Sequence, residues 1–222
     1  MRLSLAIGNK NYSSWSMRPW VLLTQAAIPF EEVQLWFDAE ARAEGADRFS
    51  PTGQVPVLMV DGEPVWDSLA ICETAAELFP DRMLWPQAPR ARQVARAICA
   101  EMHAGFRSLR SAMPMNIRSR HPGKGMSADV QKDIERVAAL WRDCRQRFGD
   151  GGDMLFGRFG VADAYYAPVV MRFMTYEVPL PEDAQRYADA VRALPAVRAW
   201  MDAARQETAF VPADEPYDTG ER

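Results

Sequence analysis

The chain has 222 residues, of which 48% are hydrophobic, 10% aromatic and 25% charged, a composition that excludes a disordered or fibrous polymer and allows one or two packed domains. Twenty-six basic against thirty acidic residues leave a net charge of −4, so no global positive field is available for a phosphate backbone and no nucleic-acid partner is expected. No apolar run approaches the roughly 20 residues of a membrane span, and Leu3 to Ile7 falls short of the roughly 7–15-residue core of a secretory signal, so a cytoplasmic protein with no membrane association is expected.

Arg2 to Ile7 alternates polar and apolar residues and predicts a strand, Ser16 to Ala27 a helix, and Glu31 to Phe37 a second strand. Ala39 to Phe49 reads as helical or irregular. Val57 to Val60 and Pro64 to Trp66 flank Asp61-Gly62, a pair that supplies the positive backbone dihedrals of a tight hairpin. Asp67 or Ser68 can cap the next helix, whose apolar positions Ile71, Ala75, Leu78 and Phe79 recur at helical spacing. Up to Pro80 there are five basic and eleven acidic residues; beyond it the balance turns slightly basic. Prolines 80, 86 and 89 each discourage helix in the residue before them, which predicts a linker over 81–89 between a domain at 1–80 and another at 90–222. The second part has no convincing strand. Helices are expected over Arg90 to Met113, Ser127 to Phe148, Val161 to Met174, Ala184 to Leu194 and Pro195 to Gln206, with a loosely held tail from Pro212 to Arg222. The expected fold class is therefore α/β plus all-α, a small βαβ-α-ββα domain followed by a helical one.

Cys72, Cys99 and Cys144 are too few and too scattered for a disulfide framework or a thiolate metal site, and His103 and His121 alone cannot supply zinc. No metal is expected, the cysteines read as core residues, and the histidines carry no assigned role. Three other segments could carry chemistry. Asn11 to Trp20 places Ser13, Ser14 and Ser16 where the first strand hands over to the first helix. Hydroxyls there either cap the helix or join its unpaired N–H groups in holding an anion. Val55-Pro56 opens a strand; with a cis bond the Val55 backbone turns outward, where an extended peptide can pair with it, and with a trans bond it is an ordinary edge. Asp67-Ser68 stands at a helix start, able to hold an ammonium and a carboxylate, or simply to cap.

The order and spacing of Ser13-Ser14-Trp15-Ser16-Met17-Arg18, Gln54-Val55-Pro56-Val57-Leu58, Asp67-Ser68-Leu69-Ala70-Ile71 and Phe159-Gly160-Val161-Ala162-Asp163-Ala164 resemble those of cytosolic glutathione S-transferases of the serine-type zeta and theta classes. That resemblance implies a thioredoxin-like first domain, an all-helical second domain, a homodimer, and glutathione as co-substrate for attack on a small electrophile. It further implies that Ser13, with Ser14 in reserve, donates to the glutathione sulfur. Val55, presented by Pro56, would hold the cysteinyl part; Asp67 and Ser68 the γ-glutamyl end; Gln54 the glycine end. Tyr12, Trp15, Met102, Phe106 and Arg110 are expected to line the electrophile pocket, where Arg107 or Arg110 would favour acidic substrates. Alternatives within the resemblance are a glutathione-dependent isomerase, dehalogenase or peroxidase, and a binding scaffold without turnover. Two departures stand out: Trp15 occupies a position where the zeta pattern has cysteine, and Gly160 one where the family usually has Ser or Thr.

Overall fold

The computed structural model describes residues 1–218. A four-stranded sheet is built from β1 (Leu3–Ile7), β2 (Glu31–Gln34), β3 (Val57–Val60) and β4 (Glu63–Val65), in the order β2-β1-β3-β4. β2 runs parallel to β1, whereas β3 is antiparallel to both β1 and β4. The parallel pair requires a crossover, and α1 (Ser14–Gln25) supplies it. The β3–β4 turn has positive φ at both Asp61 and Gly62, as the Asp-Gly pair predicts. α2 (Ser68–Leu78) closes this layer. Between β2 and β3 the chain is irregular, with one 3₁₀ turn at Ala46–Arg48.

The five helices expected beyond residue 80 become six among the described residues: α3 (Pro89–Ala104), α4 (Arg107–Ala112), α5 (Ala128–Phe148), α6 (Val161–Thr175), α7 (Glu182–Ala193) and α8 (Pro195–Gln206). The single helix expected over Arg90 to Met113 is in fact two. Gly105 leaves helical geometry and Phe106 takes φ 55°, which drives the Phe106 ring into the core and restarts the chain as α4. Arg110 spans the break by donating from Nη1 to the carbonyls of His103 and Gly105 at 3.3 and 3.2 Å. The segment between α2 and α3 is anchored, because Leu84 and Trp85 are buried and the Trp85 indole donates to Glu73 at 3.0 Å.

α1 joins the sheet layer to the helices. It packs on α2, α6 and α8, with nine of its residues buried. Trp20 meets Trp200 of α8 edge-on at 5.2 Å, and the Trp200 indole donates to the Lys10 carbonyl at 2.9 Å. α6 is buried nearly all round, as expected of a helix enclosed by others. At its start Asp163 accepts from Leu155 N (3.0 Å), Gly160 N (2.9 Å) and the Tyr187 hydroxyl (3.1 Å). Gly160 has no side chain to complete a reciprocal cap. The reason is spatial: a Cβ there would lie 2.6 Å from the Leu84 carbonyl oxygen. That carbonyl instead accepts from Val161 N at 3.0 Å, so a helix-end donor is satisfied from the chain crossing beside it. All three cysteines are buried and free.

The tail departs from expectation. Val211 is fully buried, Glu215 is buried, and the Tyr217 hydroxyl donates to the Ala112 carbonyl at 2.7 Å. Its polar residues find buried partners, which a composition-based reading of the segment does not weigh. The remainder of the expected loose tail, 219–222, lies outside the described residues.

Candidate functional site

A cleft of about 850 Å³ opens between the sheet layer and the helices, a size suited to a small-molecule ligand. It brings together Ser13, Ser14, Gln54, Val55, Pro56, Asp67 and Ser68 from three separate segments of the first 80 residues. Tyr12, Trp15 and Arg110 also line it, but Met102 and Phe106 do not; both are packed in the core. The correction follows from the α3–α4 break, which turns Phe106 inward and brings Arg107 and Ser111 to the cleft wall.

The helix start is built from hydroxyls. Ser13 caps α1, its Oγ accepting from Ser16 N at 3.3 Å and donating to Ser16 Oγ at 2.7 Å. Ser16 Oγ in turn accepts from Gly8 N at 3.1 Å. Ser14 Oγ accepts from Arg172 Nη2 at 3.1 Å. Capping and cleft lining are thus combined in Ser13, so the two readings of the serine segment are compatible.

Val55-Pro56 is a cis bond, as is Trp66-Asp67. Val55 precedes β3, and its backbone N–H and C=O make no hydrogen bond among the described residues. Asp67 caps α2 by accepting from Leu69 N at 3.2 Å. Its other oxygen lies 3.2 Å from His103 Nε2. His103 Nδ1 is 3.3 Å from the Tyr165 hydroxyl, which is 3.0 Å from Ser68 Oγ. With Nε2–H donating to Asp67, Nδ1 accepts from Tyr165, which accepts from Ser68. Residues from α3 and α6 therefore brace the Asp67-Ser68 pair, a role absent from the sequence reading of His103.

Cations crowd the other end. The Arg172 guanidinium is buried and donates to the carbonyls of Met113 and Arg110 as well as to Ser14. Burial and then the neighbouring Arg18 and Arg110 cations lower its pKa to about 10, leaving it charged at neutral pH. Trp15 is stacked between Arg18 at 4.1 Å and Arg110 at 4.8 Å. Neither Arg110 nor Arg172 has a carboxylate ion-pair partner among the described residues. The acidic group on this wall is Asp214, delivered by the tail.

The tail is strapped to the loop before α1. Glu207 accepts from the backbone N–H groups of Lys10 (2.6 Å) and Asn11 (3.0 Å). Glu215 accepts from the Tyr12 hydroxyl and from Asn116 Nδ2, both at 2.7 Å. Arg118 donates to the Ala209 carbonyl at 2.6 Å and to Tyr12 at 2.8 Å. Desolvation, followed by the Glu215 hydrogen bond, pushes the Tyr12 phenol up to about 12, so Tyr12 remains protonated and serves as a strut. No sequence pattern marks Arg172 or Asp214 as cleft residues, or His103 as the brace behind Asp67, because each arrives from a distant segment.

Comparison with known proteins gives a consistent frame. A family model described as the glutathione S-transferase N-terminal domain matches residues 12–78, and one described as the C-terminal domain matches 127–203. A probable maleylacetoacetate isomerase of Caenorhabditis elegans is 27% identical over 158 residues, 69% of this chain and 73% of that protein. A dichloromethane dehalogenase of Methylorubrum extorquens is 46% identical over 61 residues, 26% of this chain and 21% of its own length. A glutathione transferase homolog from Burkholderia GL BGR1, solved with bound glutathione, superposes with a TM-score of 0.72 at 21% identity, covering 93% of this chain and 100% of that one.

Proposed function

The chain belongs to the glutathione S-transferase family, and from that premise we propose that it uses a serine hydroxyl to hold glutathione as its thiolate for attack on an electrophilic carbon. The observation that carries this reading is the meeting of Ser13, Val55 and Asp67-Ser68 in one cleft. The γ-glutamyl ammonium pairs with Asp67, and its carboxylate accepts from the backbone N–H at the α2 start, since the Ser68 hydroxyl is engaged with Tyr165. The cysteinyl backbone pairs with the free N–H and C=O of Val55 as an added strand, and Gln54 reaches the glycine end. The relative solved with glutathione supports this assignment of the ligand.

The sulfur then lies at the α1 start. A free thiol with a pKa near 8.5 is only a few per cent ionised at pH 7, and the thiolate is the nucleophile. Ser13 donates to Ser16 Oγ, which also accepts from Gly8 N; when the sulfur arrives Ser13 turns this proton from Ser16 to it, and the Ser16 hydroxyl donates to Ser13 in exchange. One hydrogen bond to a charged acceptor contributes about 1.5–3 kcal/mol, equivalent to roughly one to two pKa units. With the positive helix end added, the thiolate becomes a major species near neutrality without a histidine base. The C–S bond forms as the leaving group departs with its electron pair, and the thiol proton goes to solvent.

A second reading, glutathione-dependent isomerisation of a carboxylate-bearing substrate, is favoured by Arg107, Arg110 and Arg172 on the electrophile wall and by the relative named a probable maleylacetoacetate isomerase; the name of another relative points instead to dehalogenation. Calorimetry with glutathione and turnover of chlorodinitrobenzene test the primary reading: binding and conjugation are expected. No binding at millimolar glutathione overturns it. Regeneration of free thiol with an acidic cis-alkene selects the second reading.

A further inference from the structure

The tail carries more than a strap. Asp214 closes a 3₁₀ turn at Pro212–Asp214, fixed on one side by fully buried Val211 and on the other by Glu215, bonded to Tyr12 and Asn116. Its side chain lines the cleft near Ser14 and Arg172 and has no hydrogen-bond partner among the described residues. Neighbouring carboxylates in the strap are occupied: Glu207 and Glu215 each accept two hydrogen bonds from the chain. A half-buried carboxyl held in place but unpaired, on the wall where an electrophile would sit, is available to a ligand.

We propose that Asp214 is the proton donor to the oxygen that develops negative charge when glutathione attacks an oxygen-bearing electrophile such as an epoxide. The inference rests on the glutathione reading above. In the step, sulfur forms a bond to one ring carbon as that carbon's C–O bond breaks; the released oxygen takes the carboxylic proton of Asp214. Solvent, which takes the proton released as the next glutathione thiol ionises, returns one to the carboxylate, so thiol plus epoxide gives hydroxy-thioether with no other reactant. Chlorodinitrobenzene loses chloride and needs no such proton.

The surroundings suit a carboxyl that changes protonation. Desolvation raises its pKa, Arg172 on α6 lowers it, and the adjacent Glu215 raises it, with a result of about 6. Tyr176 at the end of α6 also feels its charge, and Arg110 and Arg107 of α4 share the wall. Near neutrality both forms are populated, the condition for a group that accepts and returns a proton.

The test compares styrene oxide with chlorodinitrobenzene in wild type, Asp214→Asn and Asp214→Ala. The side chain makes no hydrogen bond or ion pair among the described residues, so both variants should fold, with circular dichroism and glutathione binding as the check. The expected result is a fall of about a hundredfold in the styrene oxide to chlorodinitrobenzene turnover ratio, the size usual for removal of a general acid. In wild type that ratio should fall as pH rises through about 6, and in the variants it should be flat. An unchanged ratio or pH profile in the variants overturns the proposal, as does wild type that conjugates chlorodinitrobenzene but leaves styrene oxide untouched. Failure of wild type to bind glutathione at all instead overturns the reading beneath it.

Discussion

Replacing Ser13 by alanine removes a helix cap and a candidate sulfur ligand together, and the two losses can be separated. The cap is the bond from Ser16 N to Ser13 Oγ at 3.3 Å, and alanine at such a position costs about 1 kcal/mol, a fall of roughly 2–4 °C in melting temperature for a chain of this size. The sulfur bond, at about 1.5–3 kcal/mol, sets the thiol pKa back up by roughly one to two units. Turnover near pH 6.5 should then drop about ten- to a hundredfold, and the deficit should narrow near pH 9, where the thiol ionises unaided. Glycine separates the effects, because it retains all but a few tenths of a kcal/mol of cap stability while lacking the hydroxyl. Ser13→Gly should therefore melt close to wild type and still show the displaced titration. The assay is the ultraviolet absorbance of enzyme-bound thiolate against pH, alongside chlorodinitrobenzene turnover. Equal thiol titrations in wild type and Ser13→Gly refute the reasoning, and a shift produced by Ser14→Ala in their place transfers the role to Ser14.

Two further outcomes follow from the same contacts. His103→Phe should leave kcat for chlorodinitrobenzene near wild type but raise KM for glutathione up to about fivefold, because a partly exposed pair such as His103–Asp67 contributes at most about 1 kcal/mol; His103→Gln should recover part of the loss, and equal KM values in all three proteins would remove the bracing role. Burial pushes Asp163 up to about 6 against the hydrogen bonds that lower it, so the folded state holds this proton more tightly than the unfolded chain does. Its contribution to stability is fully present below about pH 4 and is lost as pH rises through about 6. Urea unfolding should show that component in wild type and its absence in Asp163→Asn; parallel pH profiles of the two proteins would contradict it.

Much of the fold is legible in the sequence because its signals are local. Asp61-Gly62 dictates its own turn, Ser13, Asp67 and Ser127 each cap the helix that follows, and apolar spacing marks α5 to α8 within a few residues. The cleft-lining residues up to Asp67-Ser68 are legible for the same reason, since each stands at the end of a strand or helix whose start the chain announces. Gly105 is a weaker signal. One glycine in a helical pattern is often tolerated, and the break there is completed by Phe106 burying its ring and by Arg110 bonding back across the gap.

The sequence by itself determined the order of elements, the caps and the segment that presents Ser13, because those depend on neighbours a few residues apart. Tertiary structure alone decided that Arg172 bonds Ser14, that His103 braces Asp67, and that Asp214 returns from the far end of the chain to the cleft. These side chains carry no local pattern, and their neighbours are chosen when buried apolar faces of α1, α6 and α8 pack and the remaining polar groups must find partners away from water.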